Sequence, residues 1–155
     1  MDSIIRLATE EDYPAIFFLI QEFAAFQRTP HKVSNSIEQM RKEKDLFRSI
    51  VAEDTGEIVG FASYYFTYFS WTGKAIYLDD LYVVASYRGK GIGRRLLEEI
   101  ISIGKRENCK RLKWQYPNGT RQQSTFTKIW VRLLMILKAI VIYCCNNYIF
   151  GADKK

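Results

Sequence analysis

The chain has 155 residues and is 48% hydrophobic, enough for one domain with one sizeable core. Its net charge of +6 invites a nucleic-acid reading. The distribution of charge argues against it: residues 1–115 carry 17 basic and 16 acidic side chains, and residues 116–155 carry six basic side chains and one acid, Asp153.

Residues 4–8 read as a short strand. Thr9 is placed to cap a helix, with Asp12 at the capping-box position and Pro14 tolerable in the first turn. Ile16, Leu19, Ile20, Phe23 and Phe26 then recur at helical spacing and are expected to face the core. Asn35 to Lys44 reads as a second, more polar helix. Ser49 to Ala52 and Ile58 to Phe69 read as strands joined by the turn Asp54-Thr55-Gly56. Ala75 to Val84 is the next strand, Gly91 to Arg106 an amphipathic helix and Arg111 to Gln115 a fifth strand. The aromatic run Tyr64, Tyr65, Phe66, Tyr68, Phe69 and Trp71 reads as half core and half substrate wall. No basic residue interleaves it, so base stacking is disfavoured.

Cys109, Cys144 and Cys145 are odd in number and lack metal-ligand spacing, so free thiols in a reducing, cytoplasmic setting and no metal are expected. Met1-Asp2-Ser3 leads into no long apolar run, so no signal peptide is expected. His31, beside Pro30, reads as a surface residue.

Most of the chemical information lies between Val83 and Arg94. A β-rich run feeds a turn with glycines at 89, 91 and 93, and a helix begins there. Glycines let backbone N–H groups approach an anion, and the helix N-terminus adds its dipole. Arg88, Lys90, Arg94 and Arg95 add full charges. The pattern points to a pyrophosphate socket. The P-loop spacing is absent, and so is the G-x-G-x-x-G spacing of dinucleotide-binding turns.

The order Arg-x-x-Gly-x-Gly resembles the acetyl-CoA signature of the GNAT N-acetyltransferase superfamily. The resemblance extends to Ile5-Arg6-Leu7-Ala8-Thr9 with Asp12, and to Ile58-Val59-Gly60-Phe61-Ala62. Tyr64-Tyr65-Phe66-Thr67-Tyr68, Trp71-Thr72-Gly73-Lys74 and Tyr77-Leu78-Asp79-Asp80-Leu81-Tyr82-Val83 narrow it. Together they resemble the diamine (spermidine/spermine) or thialysine acetyltransferase branch. The fold so implied is α/β, an α+β mixed sheet of the acyl-CoA N-acyltransferase type. The activity implied is transfer of an acetyl group from acetyl-CoA to a small primary amine, with no nucleic-acid or membrane partner. Members of the branch are commonly homodimers.

The resemblance assigns Arg88, Gly89, Lys90, Gly91, Ile92, Gly93 and Arg94 to the pyrophosphate, and Leu81, Tyr82 and Val83 to the pantetheine arm. Asp79 and Asp80 are the candidate catalytic acids. Neighbouring strand residues face opposite ways, so at most one of the two points into the amine site directly. By resemblance that one is Asp79. The polyamine branch usually ends its first helix with an aromatic followed by glutamate. Here Phe26 is followed by Gln27, which lacks the charge that would help select a polycation.

After Gln115 the resemblance stops. The family's next segment, of the kind E-W-N-x-x-A-I-x-F-Y-x-x-L-G-A, carries the tyrosine proposed to protonate the departing thiolate. Restoring one base after the Gln115 codon lets residues 116–132 be read, with allowed codons, as V-S-E-W-N-K-A-A-I-D-F-Y-K-N-L-G-A. The expected organisation is therefore an acetyltransferase core at 1–115 and a frame-shifted segment at 116–155. Tyr116, Tyr143 and Tyr148 lie outside the box and inherit no role from it. The main alternative for this segment is a genuine divergent C-terminus, with a buried helix or strand replacing the family's last elements; a membrane anchor is disfavoured because Arg132 and Lys138 interrupt the apolar run, which falls short of the usual span of about 18 uncharged residues. The alternative reading is a chain that binds CoA but is catalytically impaired, because the box is missing.

Overall fold

The computed structural model describes residues 3–114 and the backbone of 141–144. The expectations for residues 116–140 and 145–155 lie outside the described residues.

The chain enters β1 (Ile4–Leu7) and passes through a 3-10 turn at Glu10–Asp12 into α1 (Tyr13–Phe26). Thr9 thus heads the 3-10 turn, one step before the α-helix. Its backbone N–H donates to Asp12 Oδ2 at 2.7 Å. Arg6 locks this corner. Its two terminal nitrogens donate to the Asp12 carboxylate at 2.7 and 2.8 Å, and its Nε donates to Glu53 at 2.7 Å. The Arg6 guanidinium holds the buried Asp12 carboxyl well below the usual range, at about 2.

α1 ends in a Schellman closure: Arg28 N–H donates to Ala25 O and Thr29 N–H to Ala24 O. Arg28 takes the left-handed conformation (φ 59°) that glycine usually supplies there. The chain then reaches α2 (Ile37–Lys42), which is shorter than the expected 35–44. Ser36 caps it by accepting the Gln39 N–H at 3.1 Å, which leaves Asn35 outside.

β2 (Arg48–Asp54) and β3 (Glu57–Phe69) form an antiparallel hairpin. Its two turn residues, Thr55 and Gly56, both have positive φ, the primed geometry that suits strand twist. β4 (Gly73–Val83), a 3-10 turn at Ala85–Tyr87, α3 (Ile92–Arg106) and β5 (Arg111–Trp114) follow. In the segment read as frame-shifted, β6 (Val141–Cys144) pairs parallel to β5, as the alternative of a genuine C-terminal strand allows. The strands are hydrogen-bonded in chain order in one mixed sheet: β1–β2 and β2–β3 are antiparallel, and β4–β5 and β5–β6 are parallel.

The chain divides into two compact units, and β3, β4 and α3 contribute to both. The first comprises residues up to 65 and 79–100. Here Tyr13, Ile16 and Leu19 of α1 and Met40 of α2 pack on Val51, Phe61 and Tyr82. Ile16 and Leu19 are buried and Ile20 and Phe23 pack partly buried against them, as the periodicity predicts, but Phe26, expected to face the core, is 50% exposed at the end of the helix. Gly60 lets β3 approach β4. A methyl group there would stand 2.9 Å from the Tyr82 carbonyl oxygen and 3.2 Å from Val83 Cγ2.

The second unit takes residues 66–78 and the chain from 101. β4 pairs with β5 there over Ala75 to Leu78. Cations reach the aromatic run from other strands: Lys74 lies 4.4 Å from the Phe66 ring centre, and Arg111 and Lys113 lie 5.5 and 5.4 Å from that of Phe69. The sequence shows none interleaved because these residues come from β4 and β5. Trp71 is 95% exposed and Tyr64 is buried, so the run divides between surface and core. Cys109 is a buried free thiol, pushed up in pKa mainly by that burial.

Candidate active site

The glycine loop, the end of β4 and a polar cavity all belong to the first unit. α3 begins at Ile92, and its first intrahelical bond runs from Arg95 N–H to Gly91 O at 3.1 Å. Gly91 is therefore the N-cap. The N–H groups of Gly91, Ile92, Gly93 and Arg94 are the four that a helix start leaves without an intrahelical acceptor. Gly89 and Gly91 have φ of 78° and 80°, which only glycine adopts without strain, and both are exposed. The loop thus presents backbone donors at a positive dipole end, which suits a pyrophosphate.

The basic side chains around it are engaged with the protein. Arg88 Nε donates to the Val83 carbonyl at 2.9 Å, and its guanidinium lies 4.6 Å from the Phe26 ring centre and 5.2 Å from that of Tyr82. Lys90 Nζ lies 4.4 Å from the Tyr87 ring centre. Arg94 Nε donates to Glu98 at 2.8 Å and Arg95 to Ser3 Oγ at 3.1 Å. They keep a positive field over the loop while their geometry is set from within.

Immediately before the loop, Tyr82 and Val83 are buried and Leu81 is half-buried. The Tyr82 hydroxyl donates to Glu22 Oε1 at 2.9 Å and ties β4 to α1. Val84 N–H donates to Val59 O at 3.0 Å and continues the contact with β3.

Ahead of that stretch sits the acid pair. Asp79 is exposed and lines a cavity of about 220 Å³ with Ser63, Tyr65, Asn35, Glu43 and Arg48. Met40, Phe47 and Tyr64 supply its apolar wall. Asp80 is half-buried, and its N–H donates to Ser63 Oγ at 3.2 Å. Among the described residues Asp79 lines this cavity and Asp80 does not. Asp79 is open to solvent on one side, and the loss of hydration on the side facing the protein raises its carboxyl above the ordinary value. Burial first, and the charge of Asp79 second, push Asp80 up to about 6. The Tyr65 phenol is raised by its burial and then by Asp79. The sequence reading did not single out Arg48, Glu43 or Ser63. They reach the cavity from β2, the segment after α2, and β3, and no local motif marks them.

Among the described residues no group of three or more His, Cys, Asp and Glu side chains could hold a metal ion. Nor is any helix among them long and apolar enough to cross a membrane.

The family model of the acetyltransferase (GNAT) family matches residues 5–128, beyond the boundary expected at 115. The chain belongs to that family, whose members are acetyl-CoA-dependent N-acetyltransferases. It is 36% identical over 121 residues to the thialysine N-epsilon-acetyltransferase of Mus musculus, covering 70% of this chain and 71% of that protein. It is 37% identical over 116 residues to the spermidine/spermine N(1)-acetyltransferase-like protein 1 of Homo sapiens, covering 68% of this chain and 17% of that protein. Among solved structures, an aminoglycoside acetyltransferase from an uncultured soil metagenomic sample superposes with a TM-score of 0.71 at 21% identity, over 82% of this chain and 86% of the other. That likeness concerns the fold.

Proposed function

We propose that the chain binds acetyl-CoA through the glycine loop and β4 and transfers the acetyl group to a small primary amine held at Asp79. The observation that carries this reading is the order along one stretch of the first unit: an acid pair, then the Leu81–Val83 segment, then four helix-start N–H groups at Gly91 to Arg94 that have no intrahelical acceptor. The loop donors would hold the pyrophosphate, and the backbone of Leu81, Tyr82 and Val83 would hold the pantetheine arm. A backbone N–H there would polarise the thioester carbonyl. The neutral amine attacks the carbonyl carbon, the C–S bond breaks and the sulfur leaves with the electron pair; the attacking nitrogen gives up its surplus proton as the amide forms and the thiolate takes one up, so the net products are the amide and free CoA thiol. The carboxylate pair holds the incoming ammonium and accepts its proton through water. A base whose pKa is lifted toward neutrality suits that role better than an ordinary carboxylate.

For the amine, the cavity favours one that carries its own carboxylate over a polyamine. Arg48 stands on its wall opposite in charge to Asp79 and Glu43, and Gln27 contributes no negative charge at the end of α1. Arg48 sets a positive charge on the cavity wall that disfavours a polycation, while a lysine-like amino acid brings fewer positive charges and a carboxylate of its own. Calorimetry with acetyl-CoA followed by acetylation of an amine panel tests this. The expected outcome is acetyl-CoA binding and higher kcat/KM for a thialysine-type amino acid than for spermidine. No binding, or preference for spermidine, overturns it.

A second reading is favoured by one observation: the family model runs to residue 128, but the chain as written does not carry the E-W-N-x-x-A-I-x-F-Y box after Gln115. In it the chain binds acetyl-CoA but turns over slowly, because residues 116–155 lack the box that supplies the leaving-group tyrosine. The frame-shifted origin of that segment is part of this proposal, and resequencing the coding DNA across codons 113–118 tests it.

A further inference from the structure

Gly89 and Gly91 hold left-handed backbone conformations, yet among the described residues no heavy atom beyond their own chain neighbours lies within 4 Å of where a side chain would start at either. Packing therefore does not fix them, and glycine has little conformational preference of its own. The loop must be fixed from its ends. Downstream, Ile92 is 4% exposed and anchors the helix start. Upstream, the 3-10 turn at Ala85–Tyr87 fixes its own backbone, with Tyr87 N–H donating to Val84 O at 2.9 Å and Arg88 N–H to Ala85 O at 3.3 Å, and the side chain that ties this turn back to the end of β4 is Arg88.

We propose that Arg88 is a positioning residue that sets the loop, and that its seat is braced by α1. Its Nε bond to the Val83 carbonyl closes the chain from the end of β4 to the loop. Phe26 and Tyr82 hold the guanidinium by their ring faces. Tyr82 is itself held by the hydroxyl bond to Glu22 and by the Phe23 ring, whose centre is 5.2 Å away. Glu22, Phe23 and Phe26 occupy the last turns of α1, so one helix end supplies one face of the seat through Phe26 and braces the other, Tyr82 of β4. A lysine keeps the charge at this position but has neither the Nε donor nor the planar face. The sequence reading treats Arg88 as one of several charges facing the pyrophosphate. Here its main work is to pre-set the donors of Gly91 to Arg94 before the ligand arrives.

The affinity arm of the test rests on the acetyl-CoA reading above, and the exchange arm does not. Arg88→Lys, Phe26→Leu and the double variant are made in the full chain. Phe26 is 50% exposed and Arg88 is exposed, so the fold tolerates both changes. In the ligand-free proteins, amide hydrogen exchange at residues 89–94 is expected to speed up about tenfold in each single variant. By calorimetry each single variant is expected to bind acetyl-CoA about tenfold more weakly, and the double variant no more weakly than either. The proposal is overturned if loop exchange is unchanged, or changes only in proportion to global stability. It is also overturned if Arg88→Lys keeps full affinity and Phe26→Leu is silent, the result expected of a charge that simply faces phosphate. A wild-type chain that fails to bind acetyl-CoA overturns the proposed function instead, and loop exchange then decides the role of Arg88 alone.

Discussion

Replacing residues 116–132 with V-S-E-W-N-K-A-A-I-D-F-Y-K-N-L-G-A is expected to raise acetyl transfer by on the order of 100-fold or more, the usual contribution of a well-placed general acid. The thiolate of CoA is a poorer leaving group without a proton donor, and in the resembled branch a tyrosine of this box is proposed to supply one. The glycine loop and the acid pair lie before residue 116 and are untouched by the exchange. Affinity for acetyl-CoA is therefore expected to change far less than turnover. A thiol-release assay on both chains, with calorimetry alongside, reads the two quantities separately. Equal turnover in the two chains would show that the native residues 116–132 already do what the box does.

Asp79→Asn is expected to lower kcat by on the order of 100-fold or more in whichever of those chains turns over, with acetyl-CoA affinity nearly unchanged. The amide is similar in shape but can neither hold an ammonium by charge nor take its proton. The pH profile adds a sign. Asp80 titrates at about 6, so the rate is expected to fall as pH drops through that value and the pair becomes protonated. Part of that elevation comes from the charge of Asp79. Removing the charge lowers the Asp80 pKa, so the residual activity of Asp79→Asn should have its acid limb displaced to lower pH. Asp80→Asn should abolish the limb near 6. A limb unmoved in both variants would assign the titration to another group.

The elements that carry the site were legible where the signal is local. The glycine loop, the strand before it and the helix after it follow from residue types alone, because φ above zero and helix starts have strong local preferences. Strand alternation allowed at most one of Asp79 and Asp80 to face the amine, and only Asp79 lines the cavity. What escaped the sequence depends on partners far along the chain. Arg88 was visible as a charge, but its engagement with Phe26 and Val83 requires α1 to be folded against the sheet. Gly60 looked like an ordinary strand residue, because its crowding by Tyr82 arises only when β3 and β4 meet. Arg48 and Glu43 reach the cavity from segments with no motif. The capping box at Thr9 was read correctly, but the chain spends that cap on a 3-10 turn before α1 begins.

The acid pair also makes demands on folding. The Asp80 carboxyl has a folded-state pKa of about 6, above its ordinary value of 3.8, so the native state binds this proton more tightly than the unfolded chain does. Its contribution therefore declines as pH rises from about 4 through about 6 and stays unfavourable above that, by up to about 3 kcal/mol. Much of a small domain's margin is of that size. At neutral pH the chain thus keeps a group that weakens it, and Asp80→Asn should melt at a higher temperature than the native chain at pH 7 but not at pH 4. A residue that costs stability at neutral pH is consistent with the role proposed for the acid pair.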